Sequence, residues 1–501
     1  MPTRKENIMS NSKELDVKVK FGLKSFITVV AILLAVLIFV GVLTFVIPAG
    51  KYTIYTSDAS KAELPFYQYT DDKSQDKQIV IDSYRELTDE ENDSRLPAWR
   101  WLTSPFEALF LGSNSGNMIM IIALLLVLGG TFKVLEKSGG LVSLVRVIMV
   151  KLHAKRFMAI WIITGVIMIL SAVFGLQEQL LILYPIFAML CTALNWSRFT
   201  AISFVLISSG VGFTTAITNP LTIGTASIAA GVSITDGMWY RCIIFCVMYV
   251  VTSLFLTYLA KRDEKTTTAK FDLQNFTMVT QEEHKEDIRK AKMITILFSI
   301  ALLSVIISTA IDALRSLAMV FMAIAFILGT VIVGKLLLGS YKRLGKCFVE
   351  GIKDVLPSIV IIMIAFGITY IAQQGNILHT IFHTFYTSVT NISPYLAVIL
   401  LYVFVLIIEF FIPSASAKAV LIIPMLTLAP IEGISKTVII LTYLFADGYT
   451  NVLYPTCGTL LVGLGLADVS FSDWFKKTIL FQLVLFVLSL GFLMLAVFIG
   501  L

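Results

Sequence analysis

The chain has 501 residues, 57% of them hydrophobic and 14% charged, with a mean hydropathy of +0.86, which is far more apolar than a soluble chain of this length and reads as a polytopic membrane protein. The net charge of +6 comes from lysines and arginines gathered in a few short loops rather than on one basic face, so nucleic-acid binding is excluded. The five cysteines (Cys191, Cys242, Cys246, Cys347 and Cys457) stand in or beside apolar runs, with no CxxC pair and no histidine at ligand spacing, and read as packing residues.

Residues 1–25 form a lysine-bearing segment (Lys13, Lys18, Lys20, Lys24) ahead of the first apolar run, 26–47. As a helix that run is roughly 33 Å long, enough to cross a bilayer. A secretory signal has a much shorter apolar core, and no small-residue cleavage site precedes Lys51, so an uncleaved first span is expected. A polar loop follows at 50–100, acid-rich with "DEEND" at 89–93. Further uninterrupted spans fall at 117–137, 240–260, 292–311, 317–338, 354–373 and 477–499. The N-terminus and the stretches 146–156, 261–292 and 342–353 are basic, whereas 374–392 has no Lys or Arg. Positive loops face the cytoplasm, so the N-terminus is expected inside and the C-terminus outside a cytoplasmic membrane, with 263–314 supplying a cytoplasmic linker and a linking helix.

Two other apolar regions, 157–230 and 393–467, are interrupted by Gly, Pro, Asn, Ser and acidic residues. Such residues at membrane depth belong where backbone lines an enclosed or watery cavity. The first region reads as a re-entrant hairpin, 157–195, entering from the cytoplasm and turning at "FGLQEQ" (174–179), followed by a broken helix at 198–230. The second reads as a hairpin, 393–431, entering from outside and turning at "IPSASAK" (412–418), followed by a broken helix at 436–467. The separation from Pro220 to Trp239 equals that from Pro455 to Trp474, and each Trp is followed by an aromatic and then a basic residue. Proline kinks explain a single interruption but not two matched pairs. The chain therefore reads as two repeats, 26–262 and 315–501, placed in opposite orientations by the odd number of crossings between them. Inverted repeats with discontinuous helices are an architecture of secondary transporters, with the substrate near the midplane.

Candidate binding residues lie at the tips and breaks. Ser414 and Ser416 offer hydroxyls for a substrate carboxylate or a sodium ion, or else bond back to their own helix. Thr214, Thr215 and Asn219 in the first break, and Asp447, Thr450 and Asn451 in the second, supply oxygens that suit a hard cation, with capping as the alternative use. Glu178 and Asp447 are carboxylates at mid-depth that can bind an ammonium, take a proton or ligate an ion. Glu409 and Lys418 are expected to pair across the second tip, with direct substrate contact as the alternative. His379 and His383, four apart, read as a solvated helix face. No GxxxxGK[ST] motif is present, so energy should come from a sodium or proton gradient or from exchange, without a cofactor. No nucleophile–base pair suggests an enzyme; a channel is the different-class alternative.

"GLQEQ" (175–179) with Pro185, "TNP" (218–220), "PSASAKAVLIIPMLTLAP" (413–430) and "FADGYTNVLYPTCGTL" (445–460) resemble motifs of the C4-dicarboxylate anaerobic carrier family, particularly its YfcC-like branch, within the ion transporter superfamily. The resemblance covers nearly the whole chain. It implies an all-α, elevator-type secondary carrier of small organic acids or amino acids in the cytoplasmic membrane, with two opposed hairpins around the substrate and a homodimeric scaffold. The substrate class stays open between C4-dicarboxylates and amino acids, including basic amino acid antiport such as arginine/ornithine exchange. The chain departs from the family pattern at Gln179, where a second acid is expected after Glu178, and at Lys418, where an uncharged residue such as glutamine is expected.

Overall fold

The computed structural model describes residues 23–51, 54–55, 61–62, 78–79, 84–88, 90–92, 94–112, 115–152, 155–266, 280–311, 314, 317–389, 392–412, 415–428 and 433–501. The first half contains α1 (Leu23–Val46), the short helices α2 (Ala98–Trp101) and α3 (Ser104–Leu111), α4 (Ser115–Lys137) and α5 (Gly140–Leu152). The first hairpin follows as α6 (Arg156–Phe174), a 3-10 turn (Glu178–Leu183) and α7 (Tyr184–Ala193). Then come α8 (Arg198–Thr214), a π turn (Pro220–Gly224), α9 (Thr225–Ala230) and α10 (Met238–Thr266). After the linking helix α11 (Gln281–Ala310), the order returns as α12 (Ala318–Leu338), α13 (Tyr341–Gln374) and α14 (Ile377–Val389). The second hairpin, α15 (Pro394–Phe411) and α16 (Ala415–Leu428), leads into α17 (Lys436–Thr450), α18 (Gly458–Ala467) and α19 (Phe471–Phe498). Eight of the described helices are long and apolar enough to cross a membrane, and they include both first hairpin arms, Arg156–Phe174 and Pro394–Phe411.

The described residues are nearly all helical, in keeping with the all-α expectation. Among the described residues of the polar loop five two-residue strands form, pairing Gly50 with Glu86 in one antiparallel sheet and Ile54 with Ala62 and Ile79 in another. Outside a bilayer, backbone groups can be satisfied by water, so short strands with open edges are permitted there. Part of this loop docks on α14: Tyr84 donates to Thr380 Oγ1 at 3.0 Å, and Thr380 donates to the Pro48 carbonyl at 2.7 Å. As a result His379 is buried, and His383 stacks on Tyr84 with ring centroids 3.9 Å apart, so the solvated face expected for these histidines is covered. Cys242 and Cys246 correct another expectation, because both are exposed on α10 and pack against nothing in the interior.

α5 and α14 have 13 residues each and occupy the same place in the two halves, immediately before a hairpin. They are too short to span and were invisible to a search for span-length apolar runs.

The helices form two groups. One gathers α1, α3, α4, α11, α12 and α13; the other gathers the two hairpins, the two broken helices, α10 and α19. Small residues let the first group close tightly: a Cβ on Gly351 would lie 2.1 Å from the Gly129 carbonyl oxygen, so α4 and α13 touch backbone to backbone. Thr131 and Thr330 share a hydrogen bond at 2.8 Å beside that crossing, and Lys133 pairs with Asp354 at 3.0 Å. A cavity of about 280 Å³ lies between the groups, where Leu176 and Leu180 of the first hairpin face Leu144, Phe298, Met322 and Phe326.

In the second group the two broken helices cross at their breaks. A Cβ on Gly448 would lie 2.2 Å from the Thr214 amide nitrogen, and one on Gly210 would lie 2.3 Å from Val452 Cγ1. The obstacle at Gly448 is main chain, which cannot step aside as a flexible side chain can. Gly448→Ala is therefore expected to lower stability by about 3 kcal/mol, the upper end of ordinary overpacking. Thermal unfolding of the purified protein in detergent checks this, and a melting temperature equal to that of the wild type counts against the crossing.

Candidate functional site

Each hairpin is stitched to the broken helix that follows it, by different chemistry in the two halves. In the first half the Ala172 carbonyl, near the end of α6, accepts from three consecutive amides of the break: Ile217 at 2.9 Å, Thr218 at 3.2 Å and Asn219 at 3.1 Å. Ser171 donates to the Ser209 carbonyl at 2.6 Å, and Thr218 donates to the Val173 carbonyl at 3.1 Å. Gly175 turns the tip with φ +72 and passes so close to Asn219 that any Cβ there would strike its Oδ1. Arg241 braces the same break from α10, donating to the Asp236 carbonyl at 2.7 Å, to the Ile217 carbonyl at 3.2 Å and to the Ile234 carbonyl.

In the second half the stitch is ionic. Lys418, near the start of α16, is fully buried. Its ammonium donates to Glu409 Oε2 at the end of α15, to Asp447 Oδ1 on α17 at 2.6 Å and to the tip carbonyl of Ile412 at 3.3 Å. Thr450 adds a hydroxyl 3.3 Å from Glu409 Oε2, and the Tyr443 ring lies 5.8 Å from the ammonium. Tyr443 in turn donates to the Ala415 carbonyl at 2.7 Å, fixing the first turn of α16. Glu409 and Asp447 are as buried as the lysine, and one oxygen of each, Glu409 Oε1 and Asp447 Oδ2, has no hydrogen-bond partner among the described residues. Two carboxyl groups thus face one ammonium inside an enclosed site. Desolvated charge is tolerated only when it is paired.

The expected pairing of Glu409 with Lys418 is present, and Asp447 joins it. Of the other candidates, Thr214 and Thr215 donate back into their own helix, to the Gly210 and Val211 carbonyls at 3.0 Å each. Their protons are therefore used locally. Asn219 caps the π turn by accepting from the Leu221 amide at 2.8 Å, while its Nδ2 and the nearby Thr222 hydroxyl are buried and have no partner among the described residues. Asn451 reaches across to the first hairpin and donates to Gln177 Oε1 at 3.0 Å. Glu178 is half-buried in the same tip, interacting with the Thr459 hydroxyl at the start of α18 and within electrostatic range of Asp447. Ser414 lies outside the described residues, as does the side chain of Ser416, whose backbone belongs to α16. Gln177 and Tyr443 were not singled out from sequence; Gln177 sits inside the tip motif, but nothing in the sequence marks Tyr443 as facing a lysine 25 positions before it in the chain.

The site therefore lies where two hairpin tips meet two helix breaks, in a chain whose described residues include eight helices fit to cross a membrane. A nearly all-helical polytopic protein with a buried ionic cluster at broken helices is the class that geometry defines. The family model described as C4-dicarboxylate anaerobic carrier matches residues 26–498. The chain belongs to that family and is a membrane transporter. It is similar to an Escherichia coli (strain K12) protein named "Putative basic amino acid antiporter YfcC", 24% identical over 490 residues, 91% of this chain and 94% of the relative. A Haemophilus influenzae relative is 23% identical over 376 residues, 71% of each chain. Among solved structures, the Alcanivorax borkumensis YdaH transporter aligns over 95% of this chain and 99% of its own at 16% identity and a TM-score of 0.41. Neisseria gonorrhoeae MtrF aligns over 94% and 95% at 14% identity and a TM-score of 0.40.

Removing the ammonium from the cluster leaves two carboxylates with no counter-charge. Lys418→Met is expected to cost about 3–5 kcal/mol, the usual penalty for stranding a buried charge. Asp447→Asn, which leaves Glu409 to hold the lysine, should cost clearly less. Chemical unfolding of the purified variants orders the two, and an equal or reversed order contradicts the shared-ammonium geometry.

Proposed function

We propose that the protein is a secondary exchange carrier for amino acids with a cationic side chain, such as arginine against ornithine. The observation that carries this reading is the cluster of Glu409, Asp447 and Lys418, in which one oxygen of each carboxylate has no partner. A substrate ammonium or guanidinium meeting those two oxygens cancels the excess negative charge. Its carboxylate has amides to meet at the start of α18 and the unpartnered Asn219 Nδ2 and Thr222 hydroxyl in the first break. Glu178, Thr450 and Asn451 line the same meeting point in this reading, and Ser414 and Ser416 are assigned to substrate binding with them. The name of the Escherichia coli relative agrees with it. A C4-dicarboxylate would bring two negative charges towards an already negative cluster, and so fits the site less well than the family description suggests.

Exchange follows from the same charge. An uncompensated charge at the bilayer centre costs at least about 2.5–3.5 kcal/mol, so the empty site is held back while the loaded site is free to cross. The recurrence of the element order supports two inverted repeats. In this reading the group of hairpins and broken helices moves against the other group as an elevator. The cytoplasmic N-terminus, the outside C-terminus, the cytoplasmic-membrane location and a homodimer built on the static group belong to the same proposal.

Proteoliposomes preloaded with ornithine, or left empty, and given labelled arginine, aspartate or succinate test it. Arginine uptake should saturate and exceed that into empty vesicles by more than roughly tenfold, a modest share of what a cost of about 2.5 kcal/mol allows. Asp447→Asn should abolish it. Uptake of succinate in place of arginine rejects the cationic substrate, and non-saturating flux indifferent to ornithine means a channel.

A further inference from the structure

We propose that the Lys418 ammonium occupies an alkali-cation site, as a tethered ion that lets the second hairpin close on α17 with no free metal ion bound. The transport consequence of this proposal rests on the exchange reading; the site itself does not. Three elements each send an oxygen to the ammonium: Glu409 from the end of α15, Ile412 from the tip carbonyl and Asp447 from α17. Carboxylates together with a backbone carbonyl are the donors that hard cations take, and a broken helix frees such carbonyls for the purpose. The donor set is also larger than a lysine can use. Glu409 Oε1 and Asp447 Oδ2 are buried and unpartnered, and the Thr450 hydroxyl stands 3.3 Å from Glu409 Oε2. An ion at the ammonium position would meet the three oxygens that the ammonium meets, and the same two carboxyl groups with Thr450 carry three more.

The location of this cluster decides what the ion does. Its oxygens come from the first arm of the second hairpin, from the tip and from the helix behind it, so whatever sits there ties that arm and the tip to α17. A free ion couples that closure to its own gradient, because it has to arrive and leave. An ammonium on α16 travels with the hairpin and cannot leave, which removes the gradient from the cycle. Substrate charge is then the only thing that changes at the site, in keeping with exchange. Replacing Lys418 by an uncharged side chain should accordingly create an alkali-ion site and, with it, ion-coupled uptake.

The test uses the purified full chain in detergent, with NaCl, KCl or choline chloride at equal ionic strength. The wild type should melt at the same temperature in all three salts. Lys418→Gln should melt higher in NaCl or KCl than in choline chloride, by roughly 3 °C or more at saturating salt. The double variant Glu409→Gln with Lys418→Met keeps one carboxylate and the original excess of one negative charge, and should shift in the same direction by less. Sodium-specific stabilisation of the wild type would falsify the proposal. So would the absence of any alkali-specific shift in both variants, or their failure to fold in every salt, since an ion should replace the ammonium. In proteoliposomes an inward sodium or potassium gradient should accelerate arginine uptake by Lys418→Gln and leave the wild type unchanged. Alkali-specific melting of the variant alongside a wild type that transports no amino acid would sink the exchange reading and leave this site standing.

Discussion

A lysine with no exposed surface, shared between two carboxylates, is the constraint on which the rest of the second group of helices depends. Burying three ionisable groups in a low-dielectric interior is tolerable only if hairpin, tip and broken helix all arrive together, because each supplies part of the compensation. The first turn of α16 brings the ammonium, the last turn of α15 brings Glu409, and α17 brings Asp447 before it breaks at Asn451. Tyr443 and the glycines at the crossing of α8 and α17 are then requirements of the same closure, one fixing the start of α16 and the others allowing the breaks to approach.

Much of this was legible in the sequence, for a simple reason. In a chain this apolar, any polar residue, proline or glycine inside a long run costs free energy in lipid, so interruptions mark where protein rather than lipid surrounds the backbone. The interrupted segments were read on that principle, and their helices begin and end within a few residues of the expected positions, whereas Gln281–Ala310 and Tyr341–Gln374 start well before the expected runs 292–311 and 354–373 because each opens with a charged, polar turn outside the apolar stretch. Glu409 and Lys418 could be paired from spacing alone, because a hairpin tip was expected at 412–418, between the two arms. Asp447 as a third member could not, since its approach depends on how α17 packs against the hairpin. The two 13-residue helices were missed because their apolar faces are half the helix and half a span in length. Thr214 and Thr215 looked like ion ligands by composition, yet a helical threonine hydroxyl shares the carbonyl one turn before it.

The matched tryptophans show how far a repeat in sequence departs from a repeat in role. Trp474 is buried and donates to the Val452 carbonyl at 2.9 Å, bracing the second break. Trp239 is 58% exposed, and in the first half the bracing falls to Arg241, two residues further on. The same local pattern starts α10 and α19, but the packing around each start decides which of its residues turns inward.

The two stitches also differ in what substitution can reach. The first is held by a main-chain carbonyl, that of Ala172, accepting from main-chain amides, and no point mutation deletes a carbonyl. The second is held by three side chains, each a single codon away from losing its charge. Drift in the charge of the cluster therefore has the second half of the molecule to work on. The first hairpin and its break form an inherited frame, and the second hairpin, with Lys418, is where relatives with different cargo should be found to diverge.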